Sequence, residues 1–554
     1  MSRMTGARLI AETFRGYGVT HVFYMEAILR HGLMEMEALG VRRILVHSEK
    51  AAAYMADGYA RAARRPGVCM AQSVGAANLA SGLQEPFLGC SPVVAISGRK
   101  DLISQYRNPY QEILHDPLFA PVTKYNVRVD SVAQLPHLLR QAFREATSGC
   151  PGPAHLDLLG HQGHFVEGEG DISLQPEPAF ARIPVHRPLP EAASVREAAR
   201  ALAAAARPVI VAGGGAAISG AGPEIAALAD RLGIPVATSL NGKETLLESH
   251  PLNVGVVGRY SRWCANRVVA EADLVLYVGS NTGDHVTNGW TIPRPGTPVI
   301  QIDIDPAELG RSYSNVVGLH GDARETLRAM LAVLQARPAT TWTARAQTLL
   351  RDWRAEVAPR FASDAVPIRP ERLCREIGEA LPSNAILVAD TGYSAIWSGT
   401  MIPLTHPDQR YIRCAGSLGW GLPASLGAKC AAPDRPVLCF TGDGGFWYHL
   451  SELETAARCG IPTVTVVNNN AALGQCVTSI QKLYENRPGD PNPMCRFREV
   501  NFARIAEEMG CLGLRVEKPR EIASALREAL ASGRPAVVDV VTDVNCFAPE
   551  PWAP

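Results

Sequence analysis

The sequence predicts an α/β protein built of three consecutive parallel-sheet domains. Short β-branched runs alternate with Ala-rich helical stretches, and that alternation recurs in three separate blocks. The length, 554 residues, also exceeds what one ordinary core holds.

The first block is placed at residues 1–165, where "VVAISG" and similar runs alternate with stretches such as "KAAAYMADGYARAARR". The segment "LQPEPAFARIPVHRPLPE" then reads as an extended linker, because proline blocks regular hydrogen bonding. A second block, 190–336, opens on "RPVIVAGGGAAISGAGPEIAALADRLGIPVA" and continues through "ADLVLYVGSNTGDHVT" and "PVIQIDIDPAELGR". Its glycines follow a strand and open a helix. Their spacing is not a clean G-x-G-x-x-G, so a tight strand-to-helix turn is the reading the residues favour. After "QARPATTWTARAQ" the third block, 365–545, carries "AILVADTG", "RPVLCFTGDGG", "IPTVTVVNNN" and "PAVVDVVTD". The tail "NCFAPEPWAP" is too rich in proline for a regular element.

Composition narrows the function. Hydrophobic residues make up 47% and charged ones 19%, with 54 basic against 54 acidic side chains, so no electrostatic bias points to nucleic acid. No signal-peptide pattern opens the chain and no uncharged apolar run reaches membrane-spanning length, so a soluble, cytoplasmic protein is expected. The 13 cysteines form no C-x-x-C pair and suggest neither a zinc site nor a disulfide framework.

Two turns in the third block carry the chemistry. "RPVLCFT" and "IPTVTVV" are apolar and β-rich, as strands covered on both faces are, and between them lies "FWYHLSELETAARCG". Leu450, Leu453 and Ala457 recur there at helical spacing, and Gly460 suits a helix C-terminus. The unit is therefore βαβ, its strands are parallel, and both following turns leave the same carboxyl edge of the sheet. Asp443 and Asn470 can meet there.

An aspartate oxygen, an asparagine amide oxygen and a main-chain carbonyl are hard ligands of the kind Mg²⁺ takes beside phosphate. Gly442, Gly444 and Gly445 let backbone amides approach that phosphate. Singly, Gly-Asp-Gly and Asn-Asn are more often plain turns; paired in one βαβ unit they describe a magnesium-diphosphate site.

Gly-Asp-Gly followed at this interval by Asn-Asn resembles the signature of thiamine-diphosphate enzymes. Around it, "CAGSLGWGLPASLGAK", "HSEKAAAYMADGYARA", "YQEILHDPLFAPVTKY" and "VIQIDIDPAELGRSY" look like the acetolactate synthase and 2-oxo acid decarboxylase branch over nearly the whole chain. The resemblance implies a pyrimidine-binding, a central nucleotide-binding-like and a diphosphate-binding domain, in that order. It makes Asn469 and Asn470 the family's asparagine pair, because "ALG" follows, and gives Asp443, Asn470 and the carbonyl of Ala472 as Mg²⁺ ligands. It adds Tyr393, Ser394, Leu473 and Gly474 as diphosphate contacts.

Glu49 matches the family's glutamate, eight residues before the aspartate of "ADGYAR". By resemblance it bonds the pyrimidine ring nitrogen and promotes the imino tautomer that takes the thiazolium C2 proton. Read alone, Ser48 and Glu49 are an N-cap and a first-turn acid. Leu418 aligns with the residue wedged under the cofactor, and Gly416 with the carbonyl that receives the pyrimidine amino group; read alone, Leu418 is a core leucine. Gln111 matches a glutamine lining the family's active site, and its plain reading is a polar loop residue. The resemblance also implies a homodimer or homotetramer with active sites between subunits, and a central domain holding FAD, ADP or nothing. Asp303 or Asp305 would then lie near a ribose.

The substrate side departs from the pattern. "FYMEAI" stands where acetolactate synthases have a Gly-x-Pro-Gly loop, and "SVGAAN" where Gly-Pro-Gly-Ala-Thr-Asn is common. Lys50 stands where a neutral residue is usual and Ser479 where a tryptophan selects the acceptor; Glu26 and Lys50 have the plain reading of surface charges. The expected function is a thiamine-diphosphate- and Mg²⁺-dependent C–C lyase or carboligase acting on a 2-oxo acid or acyloin-type substrate, acetolactate synthase-like. The alternatives are a benzoylformate-type decarboxylase, a 2-hydroxyacyl-CoA lyase and a non-catalytic cofactor-binding homologue.

Overall fold

The computed structural model describes residues 2–554. Three six-stranded sheets follow one another along the chain, and every pairing within them is parallel. The first lays its strands side by side as Arg42–Leu45, His21–Tyr24, Gly67–Ala71, Val93–Arg99, Ala154–Leu159 and Tyr125–Val129. The third has the order Arg410–Arg413, Ile386–Ala389, Val437–Gly442, Val464–Asn469, Ala536–Val541 and Leu512–Val516. Numbered within each sheet, both read 2-1-3-4-6-5. The middle sheet, drawn from Pro208–Ala212 through Asn315–His320, reads 3-2-1-4-5-6, the order in which ligands bind where strands 1 and 4 diverge.

The inner strands are buried on both faces, which is why they read as continuous β-branched runs rather than alternating ones, whereas edge strands such as Arg42–Leu45, Tyr125–Val129 and Leu512–Val516 are largely half-exposed. No helix among the described residues is long and apolar enough to cross a membrane. The tail beyond Val541 forms no regular element.

Two stretches between the sheets depart from the sequence reading. The linker and the residues leading into it are not free: Glu169–Ile172, just before it, pairs antiparallel with Ser2–Thr5, and Phe180 within it is buried in the first core. A short pairing and one aromatic ring carry no periodicity that composition could reveal. Before the third sheet lies a 21-residue helix, Thr341–Phe361, burying Trp342, Leu349, Leu350, Trp353 and Val357. That spacing is legible at a helical period, but the segment reads as a connection because polar residues surround each anchor.

The first and third units meet through equivalent helices, each following the second strand of its sheet. Glu49–Ala63 is Ala-rich, a strong helix former, and ends where Arg64 turns left-handed before Pro66. It crosses Gly421–Ala431 so closely that a Cβ on Gly58 would lie 2.0 Å from the Ala424 carbonyl oxygen, and one on Gly427 1.9 Å from that of Met55. Arg61 binds Asp57 through two hydrogen bonds of 2.8 Å and donates to the Arg413 carbonyl, while the Trp420 indole N–H donates to Asp57.

Candidate active site

The two turns singled out by the sequence come together. Strands Val437–Gly442 and Val464–Asn469 are parallel neighbours, with Gly442 opposite Asn468, so Asp443 and Asn470 leave the same edge. The Ala472 N–H donates to the Asp443 carboxylate at 3.0 Å. A Cβ on Gly474 would lie 2.9 Å from Asn470 Nδ2 and 3.2 Å from the Tyr393 ring, and one on Gly442 3.6 Å from Ser394 Oγ. Gly444 packs on Leu473, and Gly445 against Thr441 and Asp390. Three helices, Asp443–Phe446, Gly474–Leu483 and Tyr393–Met401, point their N-termini into this cluster, an arrangement that presents free amides to an anion.

The donor set fits a hard divalent cation. Asn470 Oδ1 is buried with no hydrogen-bond partner, a costly state that a ligated ion relieves. Asp443 is 2% exposed, and burial pushes its carboxyl up to about 7 although the Gly444 and Ala472 amides pull it back. A cation at its side would restore the ionised form. Of the other two asparagines, Asn469 donates to Asp539 and to the Val500 carbonyl, while Asn468, within its strand, also has a buried Oδ1 without a hydrogen-bond partner.

Gly416 and Leu418 lie on the loop before helix Gly421–Ala431. Gly416 is exposed, and Leu418 belongs to none of the hydrophobic clusters, so it is not an ordinary core leucine.

Glu49 and Gln111 form a separate cluster on the first unit. Ser48 makes no side-chain cap bond, so Glu49 opens its helix uncapped; Asn78 Nδ2 donates to its Oε2 at 3.1 Å, and Gly75 packs on its Oε1. Gln111 is held in a left-handed conformation (φ 63°), with its Oε1 buried and unpartnered and its carbonyl accepting from Ser73 Oγ at 2.7 Å. Beneath them the buried His115 ring bonds the Ser73 carbonyl at 3.0 Å and Asp157 at 2.8 Å. Among the described residues, no hydrogen bond or ion pair joins Glu49 or Gln111 to the Asp443 cluster. Of the substrate-side charges, Glu26 pairs with exposed Arg30, while Lys50 lies 5.5 Å from the Tyr54 ring.

Three family models match the chain: the N-terminal TPP binding domain of thiamine pyrophosphate enzymes over residues 4–118, their central domain over 195–330 and their C-terminal TPP binding domain over 390–540. The chain belongs to the thiamine pyrophosphate enzyme family. A probable acetolactate synthase large subunit of Methanocaldococcus jannaschii is 34% identical, over 98% of this chain and 92% of its own. The acetolactate synthase of Arthrospira platensis is 32% identical over 99% and 96%, and the isozyme 1 large subunit of Escherichia coli 29% over 98% and 95%.

In this thiamine pyrophosphate enzyme a cavity of about 330 Å³ opens at the divergence of the middle unit's strands, where Gly214, Gly215, Ser280 and Asp303 face walls supplied by the other two units, Arg61 and Arg64 from the first and Arg413 from the third. The glycine turn is both tight and part of that wall, since a Cβ on Gly213 would lie 2.0 Å from the Gly279 carbonyl. Asp303 lines the cavity, and burial pushes it up to about 6, whereas Asp305 caps a short 3₁₀ turn by accepting from the Ala307 N–H.

Two buried acids beside the site escaped sequence reasoning. Asp390, at the end of strand Ile386–Ala389, accepts from the amides of Thr391, Gly419 and Gly421 and from the Thr441 hydroxyl, and burial pushes it up to about 6. Glu85 lies inside helix Ala76–Leu88 and binds amides more than 300 residues away, a partnership with no local signature. Asp390 had one signal, "VADTG" ending a buried strand at the same sheet edge as the two turns.

Proposed function

We propose that this protein is a thiamine-diphosphate- and Mg²⁺-dependent enzyme that makes or breaks a C–C bond next to the carbonyl of a 2-oxo acid, with acetolactate synthase-like carboligation as its reaction. The observation that carries the metal assignment is the convergence of Asp443, the unpartnered Asn470 oxygen and Ala472 at three helix N-termini. Asp443, Asn470 and the Ala472 carbonyl hold the ion. Gly442, Gly444, Gly445, Leu473, Gly474, Tyr393 and Ser394 surround the diphosphate with backbone amides and small side chains. Bound thiamine diphosphate supplies the carbanion-stabilising centre of the reaction.

The chain's own residues position it and move protons. Glu49 holds the proton at the pyrimidine ring nitrogen, with Asn78 orienting its carboxylate. Gly416 would offer its carbonyl to the pyrimidine amino group, Leu418 would pack against the cofactor, and the unpartnered Gln111 amide oxygen would be available to the substrate. That no hydrogen bond or ion pair joins Glu49 or Gln111 to the metal cluster within one chain, among the described residues, supports a second copy completing each site, in a homodimer or homotetramer. Two of the relatives above are named large subunits, which supports association with a smaller subunit as well. The glycine turn, Asp303 and the cavity at the strand divergence support FAD or ADP in the central domain. We take 1–165, 190–336 and 365–545 as the three domains, each enclosing one sheet. With most of its 13 cysteines buried and none bridged, the protein is assigned to the reducing cytoplasm.

A decarboxylase that releases an aldehyde is the second reading, favoured by exposed Ser479 where acetolactate synthases carry a tryptophan. Carbon dioxide release from 2-oxo acids, measured with and without a second oxo compound, tests both. Acceptor-dependent acyloin formation supports carboligation, and aldehyde release unaffected by acceptor supports the second reading. No turnover of any 2-oxo acid by the cofactor-loaded protein overturns both. An absorption spectrum of the purified protein decides flavin.

A further inference from the structure

The loop Arg413–Gly421 is held through most of its amides by two buried acids, one at each end. Glu85, fully buried on the first unit, accepts from the amides of Ala415 at 2.6 Å, Gly416 at 2.9 Å and Ser417. The Ser417 hydroxyl is bonded by Tyr54 and Gln84, the Gly419 carbonyl by His449, and the Gly419 and Gly421 amides by Asp390. Among the described residues the Gly416 carbonyl receives no hydrogen bond, the Leu418 backbone and Arg413 Nε likewise make none, and the Leu418 side chain joins no hydrophobic cluster. The Gly416 carbonyl and the Leu418 side chain are the two groups assigned to the cofactor's pyrimidine.

A carboxylate bound by three amides has its geometry over-determined, and charge-assisted bonds of this kind are about twice as strong as neutral ones. Burial raises the Glu85 carboxyl above its ordinary value, while Arg61 and the loop amides oppose that rise. An acid held at such cost in the wall of a site is a candidate for function rather than for stability.

We propose that Glu85 is a positioning residue of the active site, fixing Ala415–Ser417 from the N-terminal unit so that the Gly416 carbonyl and the Leu418 side chain stand ready for the cofactor. Asp390 holds the other end of the loop, and the two acids act as opposed clamps. The role of the loop toward thiamine diphosphate rests on the function proposed above; the clamp itself does not.

The test compares the full-length protein with Glu85→Gln and Glu85→Asp. Hydrogen–deuterium exchange without cofactor reads the amides of residues 415–417, titration with thiamine diphosphate and Mg²⁺ reads affinity, and steady-state kinetics separate kcat from KM. In the unmodified protein these three amides are expected to be protected although they lie outside helix and strand. Glu85→Gln is expected to release them, to weaken cofactor binding about tenfold or more, and to lower kcat while KM for the 2-oxo acid stays within about twofold. Glu85→Asp restores part of each effect. Free exchange in the unmodified protein overturns the clamp whether or not the variants fold. A Glu85→Gln protein that keeps its protection, or loses it with unchanged cofactor affinity, overturns the positioning role. An unmodified protein that binds no thiamine diphosphate overturns the proposed function, and the exchange contrast still judges the clamp.

Discussion

The first and third units share one strand order, 2-1-3-4-6-5, yet the same topological position does opposite work in them. In the first, the segment after the second strand opens on Glu49, an acid with an accessible carboxylate. In the third, the corresponding segment is the Ala415–Trp420 loop, which offers backbone rather than a titratable group. The middle unit, with order 3-2-1-4-5-6, instead places its strand divergence on a cavity that the other two units help to wall. Two like sheets thus meet through like helices and specialise by the few residues at one edge, a division that strand order alone does not disclose.

The strongest way to break the pairing is at the helix crossing. Gly427→Val places side-chain atoms where the Met55 carbonyl stands, so loss of soluble folded protein is expected, with Gly427→Ala costing about 3 kcal/mol or more in denaturant unfolding. Next comes the edge of the third unit. Asp443→Ala should abolish Mg²⁺-dependent binding of thiamine diphosphate in calorimetric titration while far-ultraviolet circular dichroism stays unchanged; retained tight binding would remove Asp443 from the metal site.

At the matching edge of the first unit, Glu49→Gln should lower kcat by about 10²–10⁴ and leave cofactor affinity nearly intact, the signature of proton transfer rather than binding. Equal losses at Asp443 and Glu49 would erase the proposed division of labour.

The smallest expected effect is a difference in pH dependence between buried acids of the two sheets. Asp390, raised by burial to about 6, adds stability that is fully present below its ordinary value near 3.8 and lost as pH rises through about 6. For Asp157 burial alone would raise the carboxyl, but the His115 ring and the Ser97 hydroxyl hold it below its ordinary value. Its contribution is therefore present above that value and lost as pH falls. Melting temperatures of Asp390→Asn and Asp157→Asn, each referred to the unmodified protein from about pH 2 to 7, should change with opposite sign in separate windows, Asp390 between about 3.8 and about 6 and Asp157 at and below about 3.8; changes of the same sign in one window would show that the two environments are alike.

Much of this was legible in the sequence, for identifiable reasons. Parallel strands buried on both faces leave continuous apolar runs, and a βαβ unit fixes where its two turns emerge, so Asp443 and Asn470 could be paired without coordinates. The register of the triple asparagine came from "ALG"; in the structure Asn470 lies just past the strand, and both it and Asn468 carry an unpartnered buried oxygen. What stayed hidden depends on distant partners. Glu85 sits mid-helix like any helical glutamate until the Ala415–Ser417 amides are seen beside it. Phe180 in a proline-rich stretch, and the anchors of Thr341–Phe361 among polar residues, lacked a pattern strong enough to stand out.

The crossing of Gly58 with Gly427 also sets a timetable. The two helices are separated by about 370 residues of chain, and synthesis at about 5–20 residues per second takes roughly 20–70 s to cover that interval. The first unit therefore leaves the ribosome long before its mate exists, with the face of Glu49–Ala63 that carries Tyr54, Met55 and Gly58 still without its cover. Both large side chains are fully buried in the finished protein, Tyr54 among Trp420, Ala424 and Ala428 of the third unit. The contact that lets the two backbones touch is thus also an apolar surface that a half-made molecule must keep from other chains until Gly427 has been added.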